Sequence, residues 1–131
     1  MARQILVIED DALLRDAVDV ILTQAGYLVN GVGKAEDGLA LLSRWRADLV
    51  LLDIRLPGIG GVEALCRLRR AGHRMPVLMM TADNTAATVR EVMAAGGDGY
   101  VLKPFDPQTL LKRVRAGLAG SGGGRVVVLD V

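Results

Sequence analysis

The chain is short of the residues that would cross-link it or anchor it in a membrane. Among its 131 residues there is one cysteine, Cys66, so no disulfide can form within the chain and a reducing compartment is expected. No apolar run approaches the length of a transmembrane helix, and the N-terminus becomes acidic too early for a signal peptide. We therefore expect a cytoplasmic protein without a membrane contact.

Charge of one sign and aromatic rings are also scarce. The 16 Lys and Arg residues nearly balance the 15 Asp and Glu residues, and the formal net charge is +1. The aromatic residues are one Trp, two Tyr and one Phe. This composition offers nucleic acid neither a strong basic field nor a set of stacking rings, so contact with DNA would need a further domain.

Short apolar segments alternate with longer amphipathic ones along the chain. The apolar segments predict strands at 4–8, 27–32, 48–52, 76–80 and 99–102. Helices are predicted after each strand: the first is followed by Gly26, the next three end near Arg46, Ala71 and Gly96, and the last starts at Pro107 behind an Asp106 N-cap. This alternation predicts an α/β fold in which helices cover both faces of a doubly wound parallel sheet.

Polar residues stand where four of the five predicted strands end. The carboxyl ends of parallel strands meet at one edge of a sheet, which is where doubly wound folds bind their ligands. Packing of a core does not require acids, a hydroxyl and an amine at this edge. The residues are Glu9, Asp10 and Asp11 after the first strand, Asp53 after the third, Thr81 after the fourth and Lys103 after the fifth.

Each of these residues also has an ordinary explanation. Asp11 is a good N-cap for the first helix, Thr81 can be a strand-end β-branched residue, and Lys103 can be a solvated charge. Taken together, they suit phosphoryl transfer to a carboxylate. Oxygen ligands favour Mg²⁺, with Mn²⁺ as an alternative ion, and the metal offsets the repulsion that an ionised Asp53 would meet.

Four segments, "ILVIEDD", "DLVLLDIRLPG", "PVLMMTA" and "GYVLKPF", occur in an order that resembles the receiver domain of two-component response regulators. The resemblance covers roughly residues 3–118 and implies a flavodoxin-like sheet of five strands in the order 2-1-3-4-5, with five helices. It implies that Asp53 is the phosphoacceptor. Glu9, Asp10 and Asp53 would bind Mg²⁺ together with the backbone carbonyl of Arg55.

The same resemblance assigns the switch residues. Thr81 would bind the phosphoryl group, and Lys103 would pair with it across a cis bond to Pro104. Tyr100 would be the aromatic switch that rotates inward when Thr81 moves. Asp11, Pro104 and Ala82 are expected to support the site.

Arg55 departs from the family pattern because a long cation stands two residues after the acceptor. We expect its guanidinium to pair with one of the clustered carboxylates, Glu9 in the first place, when no metal is bound, and so to modulate Mg²⁺ affinity. The alternative is that Arg55 points to solvent and has no effect on the metal. Arg55 also bears on a rival function, a Mg²⁺-dependent phosphatase with an aspartyl nucleophile. Such enzymes place an acid at this position, so the sequence does not predict an enzyme. A second rival is a receiver-like scaffold that binds partners without being phosphorylated.

The resemblance also implies partners and a domain boundary. A sensor histidine kinase or histidine phosphotransfer protein would donate the phosphoryl group, and a homodimer could form through helix 4, strand 5 and helix 5. Residues 1–118 are expected to form the receiver domain. Residues 119–131 are expected to be a Gly-rich linker and the start of an output domain that regulates transcription. Nucleic acid would be bound only by that output domain.

Overall fold

Strands and helices alternate regularly in the computed structural model, which describes residues 2–120. The strands are β1 (Gln4–Ile8), β2 (Leu28–Val32), β3 (Leu49–Asp53), β4 (Val77–Thr81) and β5 (Gly99–Leu102). The helices are α1 (Ala12–Gln24), α2 (Ala35–Leu42), α3 (Gly61–Arg70), α4 (Ala86–Ala94) and α5 (Pro107–Ala119). Residues 121–131, which hold most of the predicted linker and the predicted start of the output domain, lie outside the described residues.

The five strands form one parallel sheet in the order β2-β1-β3-β4-β5, which confirms the predicted topology. Every residue of β3 and β4 is buried, because helices cover both faces of the sheet. The core is correspondingly split in two. One cluster packs under α2, α3 and α4, and the other under α1 and α5.

The helix starts follow the predicted capping residues. The Asp11 side chain accepts hydrogen bonds from the Leu13 and Leu14 backbone N–H groups, and Asp106 caps α5 ahead of Pro107. Gly26 follows α1 with a φ of 97°, in the left-handed region that favours glycine. These short-range signals position the loops on which the polar edge residues lie.

The predicted end of α2 near Arg46 is wrong, because the helix stops at Leu42. Ser43 donates its hydroxyl to the Ala40 carbonyl over 2.7 Å, and such side-chain bonds compete with helix continuation. The next residues turn tightly, and Trp45 packs against the core. The apolar pattern therefore continues beyond the helix.

The start of α3 packs very closely against the end of β3. A Cβ atom at Gly61 would lie 2.3 Å from the Asp53 carbonyl oxygen and 2.7 Å from the Ile54 Cα atom. Only glycine fits at this position without a shift of the backbone. This contact fixes the end of β3, where the predicted phosphoacceptor lies. Within residues 2–120, no helix is long and apolar enough to span a membrane.

Candidate functional site

Three carboxylates come together at the carboxyl edge of the sheet. Glu9, Asp10 and Asp53 each offer an oxygen atom, and these oxygens lie within 4.8 Å of one another. Glu9 is 1% exposed and Asp53 is 5% exposed, whereas Asp10 is on the surface. Two buried acids and an exposed one thus form an oxygen-rich cluster of the kind that holds a divalent cation.

Lys103 supplies positive charge to this cluster. Its Nζ atom lies 2.7 Å from Glu9 Oε1 and 3.2 Å from Asp53 Oδ1. Burial raises the pKa of Glu9 above its ordinary value of 4.5, and the bond from Lys103 only partly offsets this effect. Burial opposes the charge on Lys103 as well, but the bonds to Glu9 and Asp53 raise the pKa of this lysine above 10.5. One ammonium group therefore neutralises two buried carboxylates incompletely.

Backbone N–H groups also bind the same two carboxylates. The Arg55 N–H donates to Asp53 Oδ1 over 3.3 Å, and the Asp11 N–H donates to Glu9 Oε2 over 3.1 Å. Asp53 Oδ2 has no hydrogen-bond partner in the described part of the chain. This oxygen is consequently free to approach an electrophile.

A cleft of about 290 Å³ opens beside Asp53. Thr81 lines this cleft, and its hydroxyl is held locally, because Thr81 Oγ1 accepts a hydrogen bond of 2.9 Å from the Asp83 N–H. The Lys103–Pro104 peptide is cis, as the sequence resemblance implies. The residues lining the cleft are Asp53, Ile54, Arg55, Thr81, Ala82, Asp83 and Lys103.

Tyr100 does not line this cleft. Its half-exposed ring lies under the Arg113 guanidinium, whose Cζ atom is 5.7 Å from the ring centroid, a distance suited to a cation–π contact. Between Tyr100 and Thr81 there is a cavity of about 10 Å³, lined also by residues of α4. The cavity is too small to admit the tyrosine ring unless its walls move.

The expected pairing of Arg55 with Glu9 is wrong. Glu9 forms its ion pair with Lys103 instead, and the exposed Arg55 side chain makes no ion pair with any described residue. Its charge acts on Asp83, a residue that the sequence interpretation missed. Hydrogen bonds from the Thr85 N–H and the Thr88 hydroxyl lower the pKa of Asp83, and the Arg55 charge lowers it further. The available signal for this turn was the spacing of Thr81, Asp83 and Thr85, which follow one another at intervals of two residues.

Comparison with known proteins places this arrangement in a family. The family model described as the response regulator receiver domain matches residues 5–115. The chain belongs to the response regulator receiver family. The receiver is 38% identical over 118 residues to the DNA-binding response regulator MtrA of Mycobacterium tuberculosis, a match that covers 90% of this chain and 51% of the relative. It is 41% identical over 112 residues to the transcriptional regulatory protein AfsQ1 of Streptomyces coelicolor, with coverages of 86% and 49%.

The receiver also resembles solved structures over nearly their whole length. The chemotaxis response regulator CheY4 of Vibrio cholerae superposes with a TM-score of 0.86 at 28% identity. This match covers 89% of the present chain and 99% of the CheY4 chain. A CheY-like receiver domain from Methanospirillum hungatei has a TM-score of 0.87 at 30% identity, with coverages of 93% and 98%. In contrast, the chain spans about half the length of the curated relatives it matches.

The charge balance at the receiver's edge can be tested with Lys103→Met, which removes the cation and keeps much of the side-chain length. We expect the free energy of unfolding to fall by about 2–3 kcal/mol near pH ~7, because the variant leaves buried carboxylates uncompensated. A carboxyl whose pKa is raised by folding stabilises the folded state below its unfolded pKa, and loses that contribution as the pH rises through the folded pKa. The deficit should therefore shrink toward pH ~4 as Glu9 is protonated. Urea unfolding across this range, without divalent metal, measures the effect.

Two variants serve as controls for this experiment. Lys112→Met removes an exposed lysine of α5 and should cost less than about 0.5 kcal/mol. Adding Glu9→Gln to Lys103→Met should restore part of the lost stability, because one of the uncompensated charges is then absent. A Lys103→Met variant as stable as the wild type at neutral pH would contradict the proposed charge balance.

Proposed function

We propose that residues 1–118 form a receiver domain that accepts a phosphoryl group on Asp53 from the phosphohistidine of a sensor histidine kinase or a histidine phosphotransfer protein. The observation that carries this proposal is the position of Asp53, which is buried at a strand end and in contact with Lys103 beside an open cleft. The receiver family supports the donor class.

The carboxylate cluster fits a hard divalent cation. Three acids face a single ammonium group, so the site has a surplus of negative charge, and all the offered ligands are oxygen atoms. We assign Glu9, Asp10, Asp53 and the Arg55 carbonyl as the groups that would hold Mg²⁺, or Mn²⁺ in its place. The bound ion would supply positive charge to the phosphoryl oxygens during transfer.

The transfer itself is a displacement at phosphorus by the Asp53 carboxylate. One carboxylate oxygen forms the new P–O bond while the P–N bond to the donor imidazole breaks and the imidazole keeps the bonding electron pair. Lys103 is already within hydrogen-bond distance of the acceptor, so its ammonium group can stabilise charge on the incoming group without a large movement. The exposed Ala82 side chain is small and leaves the cleft beside Thr81 open.

The phosphorylated state would differ from the free state in the hydrogen-bond acceptor that is available to the Thr81 hydroxyl. A phosphoryl oxygen can accept the Thr81 hydroxyl in place of its present bond to the Asp83 carbonyl, which is 3.2 Å long. Movement of Thr81 toward Asp53 would enlarge the small cavity that separates it from Tyr100. The Tyr100 ring would then turn inward, and this differential contact would shift a two-state equilibrium.

The output of the switch is proposed to be transcriptional. The names of two relatives describe a DNA-binding response regulator and a transcriptional regulatory protein, and the present chain matches about half of each. Residues 119–131 would connect the receiver to an output domain, in a cytoplasmic protein that is not itself an enzyme. The face formed by α4, β5 and α5, which includes Tyr100, would carry the signal through a homodimer.

Asp53→Asn tests the acceptor assignment. The variant should stay folded, because a neutral isostere relieves repulsion within the cluster, and it should no longer be labelled by acetyl phosphate and Mg²⁺. Intact-mass analysis would show one labile phosphoryl group on the wild type and none on the variant. Asp37→Asn, at an exposed acid in the first turn of α2, is the matched control and should be labelled like the wild type. Stoichiometric labelling of Asp53→Asn would refute the assignment, and sustained release of inorganic phosphate from phosphate esters would support the phosphatase instead.

The switch can be followed by adding beryllofluoride and Mg²⁺ to the isotopically labelled protein. Amide chemical shifts should change from Thr81 to Met93 and at Tyr100, because the phosphoryl mimic offers Thr81 and Lys103 a new charge-assisted partner. Mg²⁺ alone is the control and should leave the Tyr100 amide nearly unchanged. Changes confined to the neighbours of Asp53 would contradict the switch and favour a scaffold that does not respond to phosphorylation.

A further inference from the structure

Arg15, a residue of α1 to which the preceding sections assign no role, contacts the acidic edge of the sheet. Its half-buried side chain donates from Nη1 to the Glu9 backbone carbonyl over 2.7 Å. That carbonyl belongs to the peptide bond joining Glu9 to Asp10. Arg15 therefore holds the plane of the peptide that connects two of the three clustered acids.

Two glycines make room for this arginine along the edge strand. A Cβ atom at Gly31 would lie 3.1 Å from Arg15 Cγ, and one at Gly33 would lie 3.2 Å from Arg15 Nη1. Both distances are shorter than an ordinary van der Waals contact, so a larger residue at either position would displace the arginine. The side chain thus packs against Gly31 and Gly33 and reaches the Glu9 carbonyl just beyond the end of β1.

The Glu9 peptide groups are fixed on both sides. The Glu9 N–H donates to the Val32 carbonyl over 3.0 Å, and the Glu9 carbonyl accepts from Arg15. With both backbone groups held, the direction in which the Glu9 side chain leaves the strand is set. The following residue, Asp10, starts from a peptide plane that is also set.

We propose that Arg15 is a positioning residue that orients Glu9 and Asp10 as ligands of a divalent cation. The inference rests on the proposed function, because it concerns the same metal site. Groups that hold a metal's ligands in place commonly affect metal affinity even though they do not touch the metal. The proposal also makes a prediction opposite in sign to that of simple charge. A cation beside the cluster repels Mg²⁺, so charge alone would make removal of Arg15 tighten Mg²⁺ binding.

The test is Mg²⁺ titration by calorimetry at constant ionic strength, applied to the full chain and its variants. Arg15→Met removes the charge and the hydrogen bond, and we expect its Kd for Mg²⁺ to rise about tenfold. Gly33→Ala keeps the charge but crowds Nη1, and its Kd should rise as well, by roughly threefold, because the ligand geometry is disturbed. Arg44→Met, an exposed arginine after the carboxyl end of α2, controls for net charge and should bind as the wild type does.

The two kinds of failure can be distinguished. If the wild type binds Mg²⁺ and Arg15→Met binds it equally well or more tightly, the positioning role is overturned and the proposed metal site stands. If the wild type does not bind Mg²⁺, the proposed function fails and the role of Arg15 fails with it. Thermal unfolding of each variant shows which are folded at the titration temperature. If Arg15→Met is unfolded at that temperature, the Gly33→Ala titration decides instead. An unchanged Kd for Mg²⁺ in Gly33→Ala would then overturn the positioning role of Arg15.

Discussion

The structure depends on the ion pairs that Lys103 makes with Glu9 and Asp53. Both acids are almost completely buried, and buried carboxylates are costly unless a cation or hydrogen-bond donors compensate them. Lys103 follows β5, Glu9 follows β1 and Asp53 ends β3, so the pairs also join three strands at one edge of the sheet. The cluster keeps a surplus of negative charge, and its ligand atoms are oxygens, a combination that suits a divalent cation.

Backbone contacts help to offset the unfavourable burial of the Glu9 and Asp53 carboxylates. The Arg55 and Asp11 N–H groups bind the buried carboxylates, and the glycine at position 61 lets α3 begin directly against the end of β3. Asp11 contributes twice, because its N–H binds Glu9 while its side chain caps α1. The helix start and the acid cluster are therefore parts of one hydrogen-bonded unit, which explains why the capping residue and the clustered acids are adjacent in the sequence.

Short-range patterns in the sequence were sufficient to predict the sheet, its strands to within one residue at each end, and the residues that meet at the carboxyl edge. They did not predict that Asp53 and Thr81 would be the last residues of their strands rather than the first residues of loops. The end of α2 was misplaced because the apolar pattern continues through Trp45, which packs in the core without being helical. The spacing of apolar residues indicates which residues are buried, and in this segment buried residues continue beyond the end of α2.

The partners of Glu9 were the hardest feature to infer. Lys103 is 94 residues away along the chain, and sequence spacing gave no reason to prefer it to Arg55, which follows the acceptor Asp53 by two positions. The contact of Arg15 with a backbone carbonyl leaves no trace in side-chain patterns, although the two glycines that admit it are visible at positions 31 and 33. Which of several cationic side chains pairs with a given acid depends on which one can reach it in space. Those distances are defined only in the folded chain.

The central claim is that Asp53 itself becomes the acyl phosphate, and chemical trapping tests it most directly. Borohydride cleaves an acyl phosphate by reducing the carboxyl carbon to an alcohol, which marks the modified side chain permanently. The protein would be treated with acetyl phosphate and Mg²⁺, reduced, digested and sequenced by mass spectrometry. The account predicts reduction at Asp53 and at no other acid. Reduction at Glu9, at Asp10 or at no residue of a folded, Mg²⁺-loaded protein would contradict it.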